Sequence, residues 1–158
     1  MQPIVVRPAT AYDLETLNRF QQGVIATERP FDPTINDNPV QYYDISSMLR
    51  SDDVRFVIAE SDSNIVGCGY ARVEAAKPYL KHRMHGYFGL MYVDPAYRGQ
   101  SVIGSIIDDL KRWCRSRDIS ELRLEVYHDN AAAIRAYEKA GFRRLSLEMR
   151  LGLDDEPP

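Results

Sequence analysis

The sequence predicts a single α/β domain with a mixed sheet flanked by helices, in the order strand, helix, helix, strand, strand, strand, helix, strand, helix, strand. Three observations carry this: β-rich or alternating apolar runs, apolar stripes spaced at 3 and 4 between them, and two junctions where a strand runs into a helix. The chain's 158 residues are enough for one domain with a sizeable core. With 44% hydrophobic and 27% charged residues, a disordered, collagen-like or disulfide-stapled chain is excluded.

Ile4 to Arg7 reads as the first strand. Thr10 or Asp13 then caps a helix whose apolar positions are Leu14, Leu17, Phe20 and Val24, ending near Thr27. Pro30, Pro33 and Pro39 with intervening Asn and Asp predict a long loop. Gln41 to Leu49 reads as a short helix, and Val54–Glu60 and Ile65–Glu74 as a hairpin turning at Ser61–Asn64. Ala75 to His85 is a polar, basic connection, followed by a buried strand over Gly86–Val93 that Asp94-Pro95 ends.

From Arg98 the widest apolar stripe predicts a helix buried on one face, through Val102, Ile106, Ile107, Leu110 and Cys114. Leu122, Leu124 and Val126 alternate with charges in a strand. Asn130 caps a helix with Ala133, Ile134 and Tyr137 inside, and Gly141 suits its left-handed terminator. Leu145, Leu147, Met149 and Leu151 alternate in a last strand. The expected domain is therefore 1–153, with 154–158 a frayed acidic tail.

The charge balance of 20 basic against 23 acidic residues, net −3 with pI near 5.6, argues against nucleic-acid and membrane partners. Met1–Arg7 lacks the features of a secretory signal, no apolar run reaches spanning length, and Cys68 and Cys114 stand far apart. The expectation is a reduced, cytoplasmic protein. His82-x-x-His85 has no third ligand nearby, so no metal is expected. Lys77, Lys81, His82 and Arg83 read as a solvated basic connection or as an attraction for phosphates or an acidic acceptor.

At the first junction, Val93-Asp94-Pro95-Ala96-Tyr97-Arg98-Gly99-Gln100-Ser101-Val102-Ile103-Gly104, free amides and the positive end of a helix make an anion site. The segment lacks the Gly-Lys-Ser/Thr of a P-loop, and Gly67-Cys68-Gly69 lacks a third glycine and a following helix. The second junction runs from Val126 to Phe142. Together the two closely resemble the acetyl-CoA-binding core of the GNAT superfamily of N-acetyltransferases. The first is similar to that family's Arg/Gln-x-x-Gly-x-Gly/Ala loop, departing from it at Ser101 and Ile103, with Gly104 one place late. The second matches Asn-x-x-Ala-x-x-x-Tyr-x-Lys-x-Gly-Phe at Asn130, Ala133, Tyr137, Lys139, Gly141 and Phe142.

The resemblance implies acetyl transfer from acetyl-CoA to a primary amine of a small molecule, amino acid or peptide, with a non-catalytic acyl-CoA-binding module as the alternative. The pyrophosphate would lie on the amides of Arg98, Gly99, Gln100, Ser101, Val102, Ile103, Gly104 and Ser105, and the pantetheine arm along Met91 and Val93. Asn130 would bond the arm, with Ala133 on the same helix, and Lys139 would approach the phosphoadenosine. Tyr137 is implied as general acid to the departing thiolate, a role that suits a phenol with an ordinary pKa of about 10. The family often uses a glutamate on the central strand as base, and there is none between Gly86 and Val93, so His85, Glu74 and Tyr87 are the candidates. Glu28, Arg29, Phe31 and Asp32 of the proline-rich loop, with Tyr87, are candidate acceptor contacts. The family commonly dimerises, and the alternating last strand is the element that would serve a homodimer here.

Overall fold

The computed structural model describes residues 2–156. Five strands, β1 (Val5–Pro8), β2 (Val54–Ser61), β3 (Asn64–Ala75), β4 (Met84–Val93) and β5 (Leu122–Leu124), lie side by side in sequence order. The first four pair antiparallel, and β5 joins β4 in parallel. Helices α1 (Leu14–Glu28) and α2 (Ile45–Leu49) pack on one face; α3 (Val102–Ser116) and α4 (Ala131–Lys139) pack on the other. Each face has its own core, Leu17, Phe20, Ile45, Tyr70 and Leu90 on the first and Phe88, Val102, Ile106, Ile107 and Leu110 on the second.

Local chemistry sets the element ends. Thr10 Oγ1 accepts from Tyr12 N and the Asp13 carboxylate accepts from Thr10 N at 2.7 Å, a reciprocal cap that starts the turn into α1. Arg7 then ties that turn to the sheet, donating to Asp13 at 2.9 Å and to Glu60 at 2.9 Å. Asn130 Oδ1 accepts from Ala133 N to cap α4, and Gly141 ends it at φ +101°. The helix read from Arg98 begins only at Val102, because a 3-10 turn over Pro95–Tyr97 and left-handed Gly99 and Ser101 hold the chain out of helix.

Two features of β4 shape the site. Between the pairs Tyr70↔Gly89 and Cys68↔Tyr92 it carries one more residue than β3, a bulge with Leu90 at φ +46°. And it pairs with β5 only over Gly86–Phe88, so from Gly89 onward the two strands diverge with no ladder between them.

The alternating segment expected as a last strand is not one. Residues 143–151 form no ladder among the described residues, and Leu145, Leu147, Met149 and Leu151 are exposed. Alternation reports which faces a segment offers; pairing depends on a neighbouring edge, and here the segment stands off it. Of the acidic tail, Leu153–Asp155 make a 3-10 turn, and Pro157 and Pro158 lie outside the described residues.

Candidate active site

The divergence of β4 and β5 opens a gap through the sheet, and the sequence-derived site residues collect on its two sides. On the α3 side lies the loop Arg98–Ser101 and the start of α3. Asn130 and Asp44 cap their helices with a side chain, whereas Ser101 makes no such bond at α3. The first amides of α3 therefore keep their donors for another acceptor. A Cβ built on Gly99 or Gly104 would meet nothing, so the approach to these amides is open. Ser101 is exposed and Ile103 packs against the α3-side core, so the Ile103 side chain turns inward from the loop. Arg98 is exposed, its Nε donating to Val93 O at 3.3 Å. Free amides, open approach and one cation suit a pyrophosphate.

Beyond Gly89 the β4 backbone offers its β5-facing groups to the gap, and Met91 and Val93 send their side chains into the α3-side core. Asn130 Oδ1 is engaged in the helix cap at 3.3 Å, which leaves its Nδ2 as the donor for a ligand. Ala133 is half-buried on α4, and Lys139 is exposed in its last turn. Tyr137 packs edge-on to Phe142, 6.2 Å between centroids, and Phe142 in turn to Phe88 at 5.8 Å. Burial, then the Glu28 charge, then Tyr43, push the Tyr137 phenol up to about 12. Its proton is therefore retained throughout the neutral range.

On the α1 and α2 side the gap is ringed by tyrosines and carboxylates. The Glu28 carboxyl is pushed upward, burial leading, although Tyr42 donates to it at 2.8 Å. Tyr43 packs edge-on to Tyr70 at 5.3 Å, and Arg72 lies over Tyr70 and Tyr87 at 5.7 and 5.9 Å. The Tyr70 hydroxyl is buried over Gly89 with no hydrogen-bond partner among the described residues. Phe31 stacks on Tyr127 at 6.2 Å, and Tyr127 donates to Asp32 at 2.8 Å, which closes the loop after α1 across the gap to the chain beyond β5.

Not all the expected residues meet here. Arg29 donates to Asn36 O at 2.7 Å and Asn38 Oδ1 at 2.9 Å, so its guanidinium folds the loop that carries it. His85 and Glu74 pair at 3.5 Å, Arg72 holds Glu74 at 2.6 Å, and His82 approaches His85 at 3.4 Å. They sit toward the start of β4, with His85 about 16 Å along the strand from Leu90. Tyr87 is nearer and half-buried. Tyr43, Tyr70, Tyr127 and Arg72 were not singled out in the sequence; period 2 puts Tyr70 and Arg72 on one face, but nothing local says that this face meets Tyr43. Among the described residues no group of three or more His, Cys, Asp or Glu could hold a metal, and no helix is long and apolar enough to cross a membrane.

Comparison with known proteins gives the family and the fold. The sequence profile described as "Acetyltransferase (GNAT) family" matches residues 18–142. The chain belongs to that family. A Yersinia pestis protein named "Acetyltransferase" is 31% identical over 116 residues, 72% of this chain and 77% of its own length. N-alpha-acetyltransferase 30 of Saccharomyces cerevisiae is 27% identical over 90 residues, 57% of this chain; the match spans about half, 49%, of the yeast protein. Among solved structures, a predicted acetyltransferase from Clostridium acetobutylicum with acetyl-CoA superposes with a TM-score of 0.72 at 20% identity, covering 98% of this chain and 99% of the other. The mixed sheet with flanking helices is thus the GNAT fold.

Proposed function

We propose that this acetyltransferase moves the acetyl group of acetyl-CoA to a primary amine of a small molecule, amino acid or peptide, by direct attack in a ternary complex. The observation that carries this reading is the opening between β4 and β5 beyond Phe88, with the uncapped start of α3 and the Tyr137 phenol on its α3 side. Acetyl-CoA supplies the activated thioester. The Arg98–Ser105 amides would hold its pyrophosphate with Arg98 adding charge, the unpaired backbone at Met91 and Val93 its arm, and Asn130 Nδ2 one of the arm's carbonyls. Ala133 keeps that helix face small, and Lys139 lies on the phosphoadenosine side.

Tyr137 donates a proton to the departing sulfur. An amine arrives as an ammonium, and it must lose a proton before it attacks. We assign that proton to Glu28 in place of His85 or Glu74, because those two pair toward the start of β4, away from the bulge, whereas Glu28 lies near enough to Tyr137 for its charge to act on the phenol. Phe31, Tyr43 and Tyr87 surround the ammonium with aromatic faces, which attract a cation. The fit to the yeast N-alpha-acetyltransferase keeps a peptide amine within the class.

The reading includes a domain over 1–153 with 154–158 as its tail, a cytoplasmic setting in keeping with two buried, free cysteines, and a homodimer. The test follows thiol release from acetyl-CoA with a panel of amines, amino acids and short peptides, beside Tyr137→Phe and a CoA titration. Turnover with one acceptor class, falling about a hundredfold or more in kcat in the variant at unchanged CoA affinity, is expected. CoA binding without turnover on any acceptor overturns it in favour of an acyl-CoA-binding regulatory module.

A further inference from the structure

On the α1 and α2 side the sheet carries a row of cations one step out from the gap. Arg72 of β3 pairs with Tyr87 of β4, and Tyr87 with Arg123 of β5, so the three stand abreast across the sheet. They share a face. Arg72 lies 5.9 Å from the Tyr87 ring centroid, and Leu122 and Leu124 pack on the α3-side core, which turns Arg123 the other way. Strands about 4.8 Å apart set the two arginine stems about 10 Å from each other, with the half-buried tyrosine as the floor between them.

Each arginine is held from behind and left open in front. Glu74 accepts from Arg72 Nε and Nη2 at 2.9 and 2.6 Å, and Glu121 from Arg123 Nε at 2.9 Å. Both glutamates lie farther from the gap than the arginine they hold. Nη1 of Arg72 and both Nη atoms of Arg123 make no hydrogen bond among the described residues, and the two side chains are 38 and 29% exposed. A guanidinium fixed at Nε with free terminal donors suits a planar anion. Beyond the row, exposed Lys77, Lys81 and Arg83 add positive field on a chain of net charge −3.

The opposite sign stands at the gap. Glu28 acts there with its charge on Tyr137 and Tyr43, and Glu125, two residues on from Arg123, on Tyr87 and Tyr43. The face therefore offers carboxylates to an ammonium at the gap and guanidiniums one row away. From Gly89 to Tyr87 the strand advances about 7 Å. With bonds of about 1.5 Å, a carboxylate about four bonds from the reacting nitrogen reaches the row. We propose that Arg72 and Arg123 bind such a carboxylate on the acceptor and make the site selective for acidic amines, whether free or as the first residue of a peptide. This rests on the acetyl transfer proposed above and names its acceptor.

γ-Aminobutyrate and γ-aminobutyramide differ only in that charge, as do the peptides Glu-Ala-Ala-amide and Gln-Ala-Ala-amide, one pair for each source. Thiol release should favour the acidic member of at least one pair by about ten- to a hundredfold in kcat/KM, and calorimetry on the CoA-loaded chain should show the same preference in Kd. Arg72→Gln and Arg123→Gln should each bring that ratio to within about threefold of one. The ratio cancels a general loss of folding or rate, and Arg123→Gln stands alone if removing Arg72 from the buried Tyr70 ring unfolds the first variant. A ratio near one in both pairs, no binding of either acid, or a preference that survives the substitutions overturns the proposal. Calorimetric preference for an acid without thiol release on any amine supports the arginine site and overturns the acetyl transfer instead.

Discussion

The Tyr127 hydroxyl donates to the Asp32 carboxylate at 2.8 Å across the opening between β4 and β5. With the Phe31 ring stacked on the same tyrosine, this bond joins the loop after α1 to the far side of the gap, over the proposed acceptor position. Tyr127→Phe keeps the stacking and removes the bond. Acceptor KM should rise about three- to tenfold, as loss of one charge-assisted hydrogen bond implies, with KM for acetyl-CoA unchanged. Steady-state kinetics with each substrate varied in turn reads the split.

Burial raises the Glu28 carboxyl above the ordinary glutamate value of about 4.3. A base works deprotonated, so activity should climb with pH through this raised value, and the acidic limb of the kcat/KM profile should lie above 4.3. Tyr137, pushed up to about 12, stays protonated across that limb and contributes nothing to it. Glu28→Gln should lower kcat about a hundredfold and abolish the limb, whereas His85→Ala should leave the limb in place. A limb that follows His85 assigns the base there.

Gly89 lies under the Tyr70 ring, and a Cβ there would overlap the phenol end of that buried side chain. Tyr70 sits between Tyr43 and Phe56, which limits its retreat. Gly89→Ala should therefore destabilise the fold by about 1–3 kcal/mol, the usual cost of overpacking. Urea denaturation measures it; Gly104→Ala, with open space around its Cβ and a helical backbone, should be neutral or stabilising by about 1 kcal/mol.

Much of this was legible from the chain itself. The stripe predicted for α3 is buried at Val102, Ile106, Ile107, Leu110 and Cys114, and Asn130 and Gly141 bound α4 as their side-chain chemistry requires. Helix spacing and capping are local, so a single sequence carries them. The late start of α3 was hidden because Ser101 adopts a left-handed conformation that its residue type does not announce. The tyrosine cluster was hidden because Tyr43 meets Tyr70 only through the docking of α2 on the sheet, and the engagement of Arg29 with its own loop because its acceptors are a backbone carbonyl and an asparagine. The fate of residues 143–151 was hidden for a related reason: alternation fixes the faces of a segment and leaves its neighbour open.

Gln21 is buried in α1, and its Oε1 accepts from both Tyr42 N and Tyr43 N, at 2.8 and 2.7 Å. That single amide pins the far end of the loop after α1 to a helix rooted in the core, and Glu28, at the end of that helix, accepts from Tyr42 at the same place. Between them, residues 29–41 touch the rest of the chain through Phe31 and Asp32 at Tyr127 and through Val40 at Gln22. If this stretch meets the acceptor as proposed, its few anchors make acceptor preference an exchangeable cassette, graftable from one acetyltransferase of this fold to another.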